Sequence, residues 1–450
     1  MSYTKTLMFI LLFAAAVFAQ KQHIVQVSPD GAQRPVEPTI AINPTNPDNI
    51  VGASIRYGVE GETRVVNMRY HSENGGKNWR HTTVSNPFVR PQGDDAIVFN
   101  ADGQAFHSFI CFRGLRTPKT KANGIYVIRS EKDTNTWGEH LLVVDHLNTL
   151  RPYEDKPYLA TDNGKDSPHR GNIYIAWSRF DEYHSKLKTD STQIYFSRST
   201  NNGDQFDVPF RISDTGGDCD DGDNTVEGAV PAAGPDGEVY IAWSGPKGLV
   251  FDKSLDGGKT FGKDRVISDL PGGWSQDIDG IFRCNGFPVT KTDISGGEYH
   301  GSVYINWTDE RNGDVDVFLM YSRDKGETWS KQIRVNGEKK GNGKQQFFNW
   351  MAVDPVDGSI NIIYHDRAKY DGTKTGVTIS RSIDGGKSFK HYPVNIDAFE
   401  CNKEIFFGDY NNIDAYNGRV AAIFPHFIAE KQTAVSTLVM DFKPGTQKAR

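Results

Sequence analysis

Several absences narrow the chain before any motif is read. Among 450 residues there are only four cysteines, and no C-x-x-C pair or histidine cluster stands near them, so a structural zinc site is not expected. Lys and Arg number 51 against 57 Asp and Glu, a net charge of -6, and no basic block interrupts the sequence. That excludes the electrostatic footprint of a nucleic-acid binder. Beyond the first nineteen residues no stretch approaches the ~20 apolar residues of a spanning helix, so no membrane span is expected. Sustained helical periodicity and low-complexity segments are missing as well. So are the phosphate-binding glycine loop, the nucleophile elbow and the H-E-x-x-H zinc motif, which removes the commonest enzyme classes that carry them.

The chain is rich in glycine and aromatics instead, with 45 Gly and 12% Phe, Trp and Tyr, a composition of turns and strands. It opens with Lys5 and the apolar run Leu7 to Ala19, with small residues at Ala16 and Ala19. This is the pattern of a cleavable secretory signal over residues 1–19, leaving residues 20–450 as one exported domain, extracellular or periplasmic. Export permits disulfides. Cys111, in the apolar run Phe109-Ile110-Cys111-Phe112, reads as a buried thiol. Cys219 and Cys284 lie in connections between units, where a bond between them would pin the intervening loop.

One short pattern recurs: Ser, any residue, Asp or Asn, any residue, Gly, then Trp or Phe three residues on. It appears at Ser72–Trp79 and Ser199–Phe206, most cleanly at Ser254–Phe261 (SLDGGKTF), Ser322–Trp329 (SRDKGETW) and Ser382–Phe389 (SIDGGKSF), and in degraded form at Ser130–Trp137. The copies lie roughly 55–70 residues apart, near the length of a propeller blade with insertions. The Asp or Asn accepts hydrogen bonds from the turn, Gly supplies a positive φ, and the aromatic packs beneath. Each turn is preceded by alternating apolar strands around a Gly-rich bend, as in Ala229–Trp243 and Met351–Tyr364, with further units from Thr39, Ala96, Tyr158, Val289 and Asn412. The expectation is an all-β fold: a β-propeller of six or seven blades, seven being the better count, each of four antiparallel strands. The strand His23–Ser28 is placed to complete the last blade and close the ring, which removes exposed sheet edges.

The S-x-D-x-G-x-T-W turn resembles the Asp box of sialidases and the wider BNR-repeat propellers, and the resemblance runs along nearly all of residues 20–450. It implies a sialidase-like propeller, a superfamily that includes glycoside hydrolases, polysaccharide lyases and non-catalytic binding proteins. The sialidase F/Y-R-I-P sequence, which supplies the first carboxylate-gripping Arg, is not matched. In Val36-Glu37-Pro38-Thr39-Ile40 that position holds Glu37, with Arg34 three residues upstream, and the only F-R-I, Phe210-Arg211-Ile212, leads out of the third unit.

In a four-stranded blade the 1–2 and 3–4 turns share one face, so the repeated turns mark a structural face and ligands belong on the other. Entering the inner strands on that other face are Glu37, Asp94 with Asp95, Glu154 with Asp155, Glu227, and Asp409 with Tyr410. The connections between strands 2 and 3 carry Arg56 with Tyr57, Arg179, Asp309 with Arg311, and His365 with Asp366 and Arg367, with Trp350 nearby. Clustered carboxyls share protons and can provide an acid and a base for glycosidic cleavage. Glu227, Asp95, Asp409, Tyr410 and Glu37 are therefore the candidate catalytic groups. Arg56, Glu154, Asp155, Arg179, Asp309, Arg311, Trp350, His365, Asp366 and Arg367 are the candidates for holding a glycan, an acidic one if the arginines grip it bidentately. The bland counterpart is that these charges pair within and between blades and stiffen the ring. The acidic turn Asp220, Asp221 and Asp223 is a candidate for Ca2+, although without EF-hand spacing. The expected activity is that of an exported carbohydrate-active propeller, sialidase-like if a hydrolase. The alternatives are a non-catalytic glycan- or protein-binding propeller and a polysaccharide lyase using His365, Tyr410 and Arg367.

Overall fold

The computed structural model describes residues 20–31, 33–57, 65–85, 91–112, 123–132, 134–146, 149 and 151–442. The expected signal segment 1–19 lies outside them. Seven antiparallel sheets of four strands follow one another along the chain. Their inner strands are Gln33–Ile42, Gln92–Phe99, Tyr153–Thr161, Glu227–Ala233, Val289–Thr292, Gln346–Val353 and Asn412–Tyr416. They open blades 1 to 7 in that order, and each blade runs outward in sequence. Blade 7 is the exception. Its outer strand is His23–Gln26, paired with Gln432–Asp441 from the other end of the chain (His23 opposite Val439, Gln26 opposite Ser436). The ring is closed by the N-terminal strand, as expected, and blade 6 adds only a short pairing of Phe399–Glu400. The seven-bladed count holds.

Each blade packs its faces against both neighbours, so the middle strands are buried almost throughout and largely apolar, with buried polar residues such as Asn67, His107 and Asn306 among them. Trp177, Trp243 and Trp307, at matching places in the second strands of blades 3, 4 and 5, have no exposed surface. The inner strands carry small side chains such as Ala41, Ala160 and Ala232, because they converge on a narrow axis. Among the described residues no helix is present.

The repeated turns join strands 3 and 4 and follow one hydrogen-bond plan. In blade 5, Ser322 Oγ accepts from the Gly326 amide at 2.8 Å, and Asp324 Oδ1 accepts from the Thr328 amide at 2.9 Å. The same bonds recur at Ser72 and Asn74, Ser199 and Asn201, Ser254 and Asp256, and Ser382 and Asp384. These turns also lock blade to blade. Gly326 has φ +81°, and a Cβ there would stand 2.5 Å from the Phe251 ring of blade 4. Gly76, Gly203, Gly258 and Gly386 press in the same way on Val439, Phe106, Phe196 and Leu319 of the preceding blade. Gly326→Ala is therefore expected to destabilise the fold by about 2–4 kcal/mol, from left-handed backbone cost plus overpacking, read as a lower urea midpoint at unchanged slope.

All four cysteines are buried, and none is in a disulfide. The Cys219–Cys284 bond is not formed. Cys219 packs with Tyr153 and Phe180, while Cys284 lies in a separate apolar cluster with Ile278 and Phe348. Cys111 is the buried thiol expected of it.

Candidate functional site

The face opposite the repeated turns gathers its chemistry by a device used in blade after blade. Each inner strand of blades 1, 2, 3, 4 and 6 carries an extra residue against its partner, a β-bulge, where it enters the ring. The bulged residue takes a left-handed φ: +53° at Glu37, +53° at Asp94, +51° at Lys156 and +54° at Phe348, with Gly228 in blade 4. Such a conformation costs a residue with a Cβ about 1–2 kcal/mol and re-aims its side chain. Here the charged ones turn toward one another across the mouth of the channel.

Lys156 is the hub. Its Nζ lies 2.9 Å from Asp155 Oδ2, 3.2 Å from Glu227 Oε2 and 3.6 Å from Asp409 Oδ2. Its backbone amide donates to Asp94 Oδ2 at 2.9 Å. A second cation, Arg283, enters from the connection between blades 4 and 5. It binds both oxygens of Asp409, with Nε 2.9 Å from Oδ1, and its Nη1 lies 3.0 Å from Asp221 Oδ2. Tyr183 donates its hydroxyl to the same Asp221 oxygen at 2.5 Å. Asp409 reaches this position because Gly408, at φ +90°, lets its strand approach the Glu37 backbone. A Cβ on Gly408 would stand 2.9 Å from the Glu37 amide.

Burial decides the protonation of the group. Glu227 is fully buried; its carboxyl is pushed up to about 8 by burial, with Lys156 opposing and Asp221 and Asp155 adding. Asp94 is raised to about 8 by burial and by the neighbouring Asp155, with Lys156 opposing. Glu37, 4% exposed, is raised by burial and by Asp409 and Asp94. Among the described residues its carboxyl has no hydrogen-bond or ion-pair partner, and beside it the buried Tyr410 hydroxyl lacks one as well. Lys156 stays charged, since Asp155, Glu227 and Asp409 outweigh the burial that opposes its charge. Tyr158, Trp350 and Tyr410 form the floor, their ring centroids 5.3, 5.8 and 5.7 Å apart. Beneath it the axial cavity, about 190 Å3, is lined by small apolar residues with Lys291 and Asp414. The larger cavity, about 1240 Å3, is not over the cluster but beside it, between the 395–404 connection and the 426–430 turn.

These protonation states give stability a direction with pH. The folded chain holds protons on Asp94 and Glu227 up to about pH 8, whereas unfolded carboxyls release them near pH 4. The folded state thus binds more protons across that interval, and stability falls as pH rises through it. His365 and His426, kept neutral by burial with values of about 3 and about 4, act oppositely, but only below the ordinary histidine value of 6.5. Above that value the carboxyls act alone. Unfolding free energy is expected to drop by about 1–2 kcal/mol per pH unit between pH 6.5 and 8, visible as a falling Tm by calorimetry. A flat profile would exclude protonated rim carboxyls.

Of the residues expected from sequence, Glu37, Asp155, Glu227, Asp409 and Asp221 are brought together, with Tyr410 and Trp350 beneath them. Asp95 is not. It points the other way, between blades, onto His107 at 2.5 Å, whose second ring nitrogen meets Arg69 at 3.1 Å. Its role is to anchor the bulge that aims Asp94. Glu154 and Arg179 bond each other at 2.8 Å, with Trp177 and His146 on the same carboxylate. Asp309 accepts from Trp307 at 2.7 Å and from Arg311 at 2.9 Å. His365 is enclosed: its ring stacks on Phe347 at 5.4 Å and its Nε2 meets the Pro425 carbonyl at 3.0 Å. Asp366 accepts from Thr378, and Arg367 donates to Thr375 and covers Phe347. Arg56 pairs with no carboxylate among the described residues and its Nε is buried without a partner. These side chains do not face the cluster. The acidic turn also disperses. Asp220 is exposed beside His184 and Lys186, Asp221 joins Arg283, and Asp223 caps the Ser275 amide. Among the described residues no three His, Cys, Asp or Glu side chains are arranged around a metal, so this turn does not fit Ca2+.

Lys156 and Arg283 were not anticipated. Aligning Val36-Glu37-Pro38-Thr39-Ile40 with Asp155-Lys156-Pro157-Tyr158-Leu159 puts Lys156 in register with Glu37, and that signal was available. Arg283 stands in an insertion outside the repeat.

No protein-family model matches the chain, and no curated protein matches it by sequence. Solved structures do match. A Dyadobacter fermentans protein of unknown function superposes with TM-score 0.53 at 12% identity, covering 93% of this chain and 98% of that one. An alpha-L-arabinanase of Penicillium chrysogenum, complexed with arabinobiose, gives 0.50 at 12% identity over 93% and 97%. An ulvan lyase of family PL25 gives 0.50 at 11% identity over 92% and 95%. At such identities the likeness is one of fold.

Proposed function

We propose that the chain is an exported carbohydrate-active propeller, a glycoside hydrolase whose reaction takes place at the rim cluster. The observation that carries this is Glu37, a buried carboxyl raised well above its ordinary value by burial and unpaired among the described residues, set among carboxylates held by Lys156 and Arg283. An acid so placed donates its proton to a glycosidic oxygen as the bond to the anomeric carbon breaks. Asp155, a carboxylate held by Lys156 at 2.9 Å, receives the proton of the attacking water. The products are a hemiacetal and a free alcohol. That the arabinanase and the ulvan lyase share this fold makes a glycan ligand the natural expectation.

A second reading is a glycan-binding propeller without catalysis. It is favoured by the closure of the cluster, in which Glu227, Asp409 and Lys156 are each nearly fully buried and satisfied by one another. The lyase reading loses its base, since His365 is enclosed in phenylalanines. The test is product release by the chain lacking residues 1–19 from a glycan panel, reading new reducing ends and unsaturated-uronate absorbance. Reducing ends alone support hydrolysis, absorbance overturns it in favour of a lyase, and binding without product supports the second reading.

A further inference from the structure

Below the aromatic floor the axial cavity runs on toward the face of the repeated turns, where Pro44, Asn163, Ile294, Pro355 and Tyr416 edge it. Its walls are the inner strands. At one level of the ring, fixed by strand register, blades 3, 4 and 6 place Ala160, Ala232 and Ala352. Small side chains are what a narrow axis demands. Two blades depart from that rule at the same level: blade 5 places Lys291 and blade 7 places Asp414. Among the described residues no other charged side chain lines the cavity.

The two do not form a salt bridge. Asp414 turns both oxygens onto the backbone: Oδ2 accepts from the Ile42 amide at 2.8 Å and Oδ1 from the Ala415 amide at 2.9 Å. Lys291 has no hydrogen bond and no ion pair among the described residues, and Asp414 acts on it only through space. Burial therefore pulls its amine below the ordinary lysine value. An ammonium carries three donors and no acceptor. Water satisfies those donors but leaves the charge uncompensated among apolar walls, which is costly. Two residues from Asp414, on the same face of its strand, Asn412 gives its Oδ1 to the Ile40 amide at 3.3 Å. The Asn412 NH2 group also has no acceptor among the described residues.

We propose that the axial cavity binds a small monovalent anion, a halide or a short carboxylate, against Lys291, with the Asn412 amide as a second donor. The anion supplies both the acceptor and the negative charge that Lys291 lacks. Size limits the choice: about 190 Å3 lies below the ~300 Å3 at which sites for larger organic ligands begin, so a sugar oligomer does not fit. A hard dication is disfavoured by the lysine and by Asp414 oxygens already bound to amides. The site lies on the far side of Tyr158, Trp350 and Tyr410 from the rim and does not depend on the glycan reading.

The test is thermal unfolding of the chain and of Lys291→Met in chloride, bromide, formate, acetate and bulky gluconate at matched ionic strength, together with diffraction from crystals equilibrated in bromide. Met keeps the length of the side chain without its charge. Between about 10 and 500 mM halide the parent Tm is expected to rise by at least about 2 °C more than that of the variant. Bromide should give an anomalous peak beside Lys291 Nζ. A rise in formate and acetate as well assigns a site open to short carboxylates, and a rise in halides alone a halide site; both support the inference. Equal rises in parent and variant, or a rise in gluconate equal to that in chloride, are a general salt effect and overturn it. So do bromide crystals with no peak at Lys291, and that measurement decides alone if Lys291→Met does not fold.

Discussion

Replacing Lys156 with Met is expected to cost the fold about 3–5 kcal/mol at pH 8, the range found when one partner of a buried ion pair is removed. The lysine is only 4% exposed and is the one cation touching Asp155, Glu227 and Asp409 together. Met keeps the length of the side chain and, like Lys, carries a Cβ at φ +51°, so backbone strain is common to both proteins and cancels. What is lost is the charge. The carboxyls left behind can neutralise themselves only by taking protons, which is cheap at pH 5 and costly at pH 8. The folded variant therefore binds more protons than its unfolded form over a wider interval than the parent does, and its stability falls more steeply as pH rises. Urea unfolding of both proteins at pH 5 and pH 8 reads the difference. Adding Glu227→Gln to Lys156→Met should restore part of the loss, because the two sites share one interaction. A cost below about 1 kcal/mol at both pH values, the worth of a surface pair, would mean that the cluster is solvated and that Lys156 is no hub.

The fold was legible because its signals repeat. A lone S-x-D-x-G turn says little, but five copies in phase with strand alternation fix blade length, strand order and the face on which the turns lie. The closing strand at His23 was legible because the last unit lacked its own fourth strand. The site was legible only in part, for a reason visible at Asp94 and Asp95. Adjacent residues of a strand point to opposite faces, and a bulge inserts one residue and exchanges which of them faces the axis. Without the register, the sequence offers both, and Asp95 was the wrong member of the pair. The arginines mislead differently. Arg179 and Arg311 sit where strand 2 ends, near the mouth, yet each lies within reach of a carboxylate that also binds a core tryptophan, Trp177 or Trp307. Both pairings lie within one blade, Glu154 opposite Arg179 across neighbouring strands and Arg311 two residues beyond Asp309, and the first is visible only once the strand register is known. Arg283 is beyond reach of any repeat argument, because an insertion brings it in.

Glu37→Gln is the substitution that should separate chemistry from architecture. Glutamine matches glutamate in shape, and among the described residues Glu37 has no hydrogen bond or ion pair to forfeit, so folding should be untouched and Tm unchanged or slightly raised. Gln cannot deliver a proton to a leaving oxygen. If Glu37 is the acid, kcat on the glycan the parent cleaves should fall by about 10²–10⁴, the usual weight of general acid catalysis, while KM moves little. Asp95→Asn is the matched contrast. Its carboxyl, raised well above the ordinary range by burial, holds His107 and carries no proton to substrate, so the change should lower stability by about 1–3 kcal/mol, as expected when a buried hydrogen-bonding group is altered. The pH profile of whatever activity remains should keep its parental shape. In Glu37→Gln the alkaline limb of kcat/KM, which reports loss of the acid's proton, should disappear. Activity within threefold of the parent, with the alkaline limb intact, would remove Glu37 from the reaction. The proton would then have to come from Glu227 or Asp94, whose carboxyls are raised to about 8 for the same reason, burial among other carboxyls.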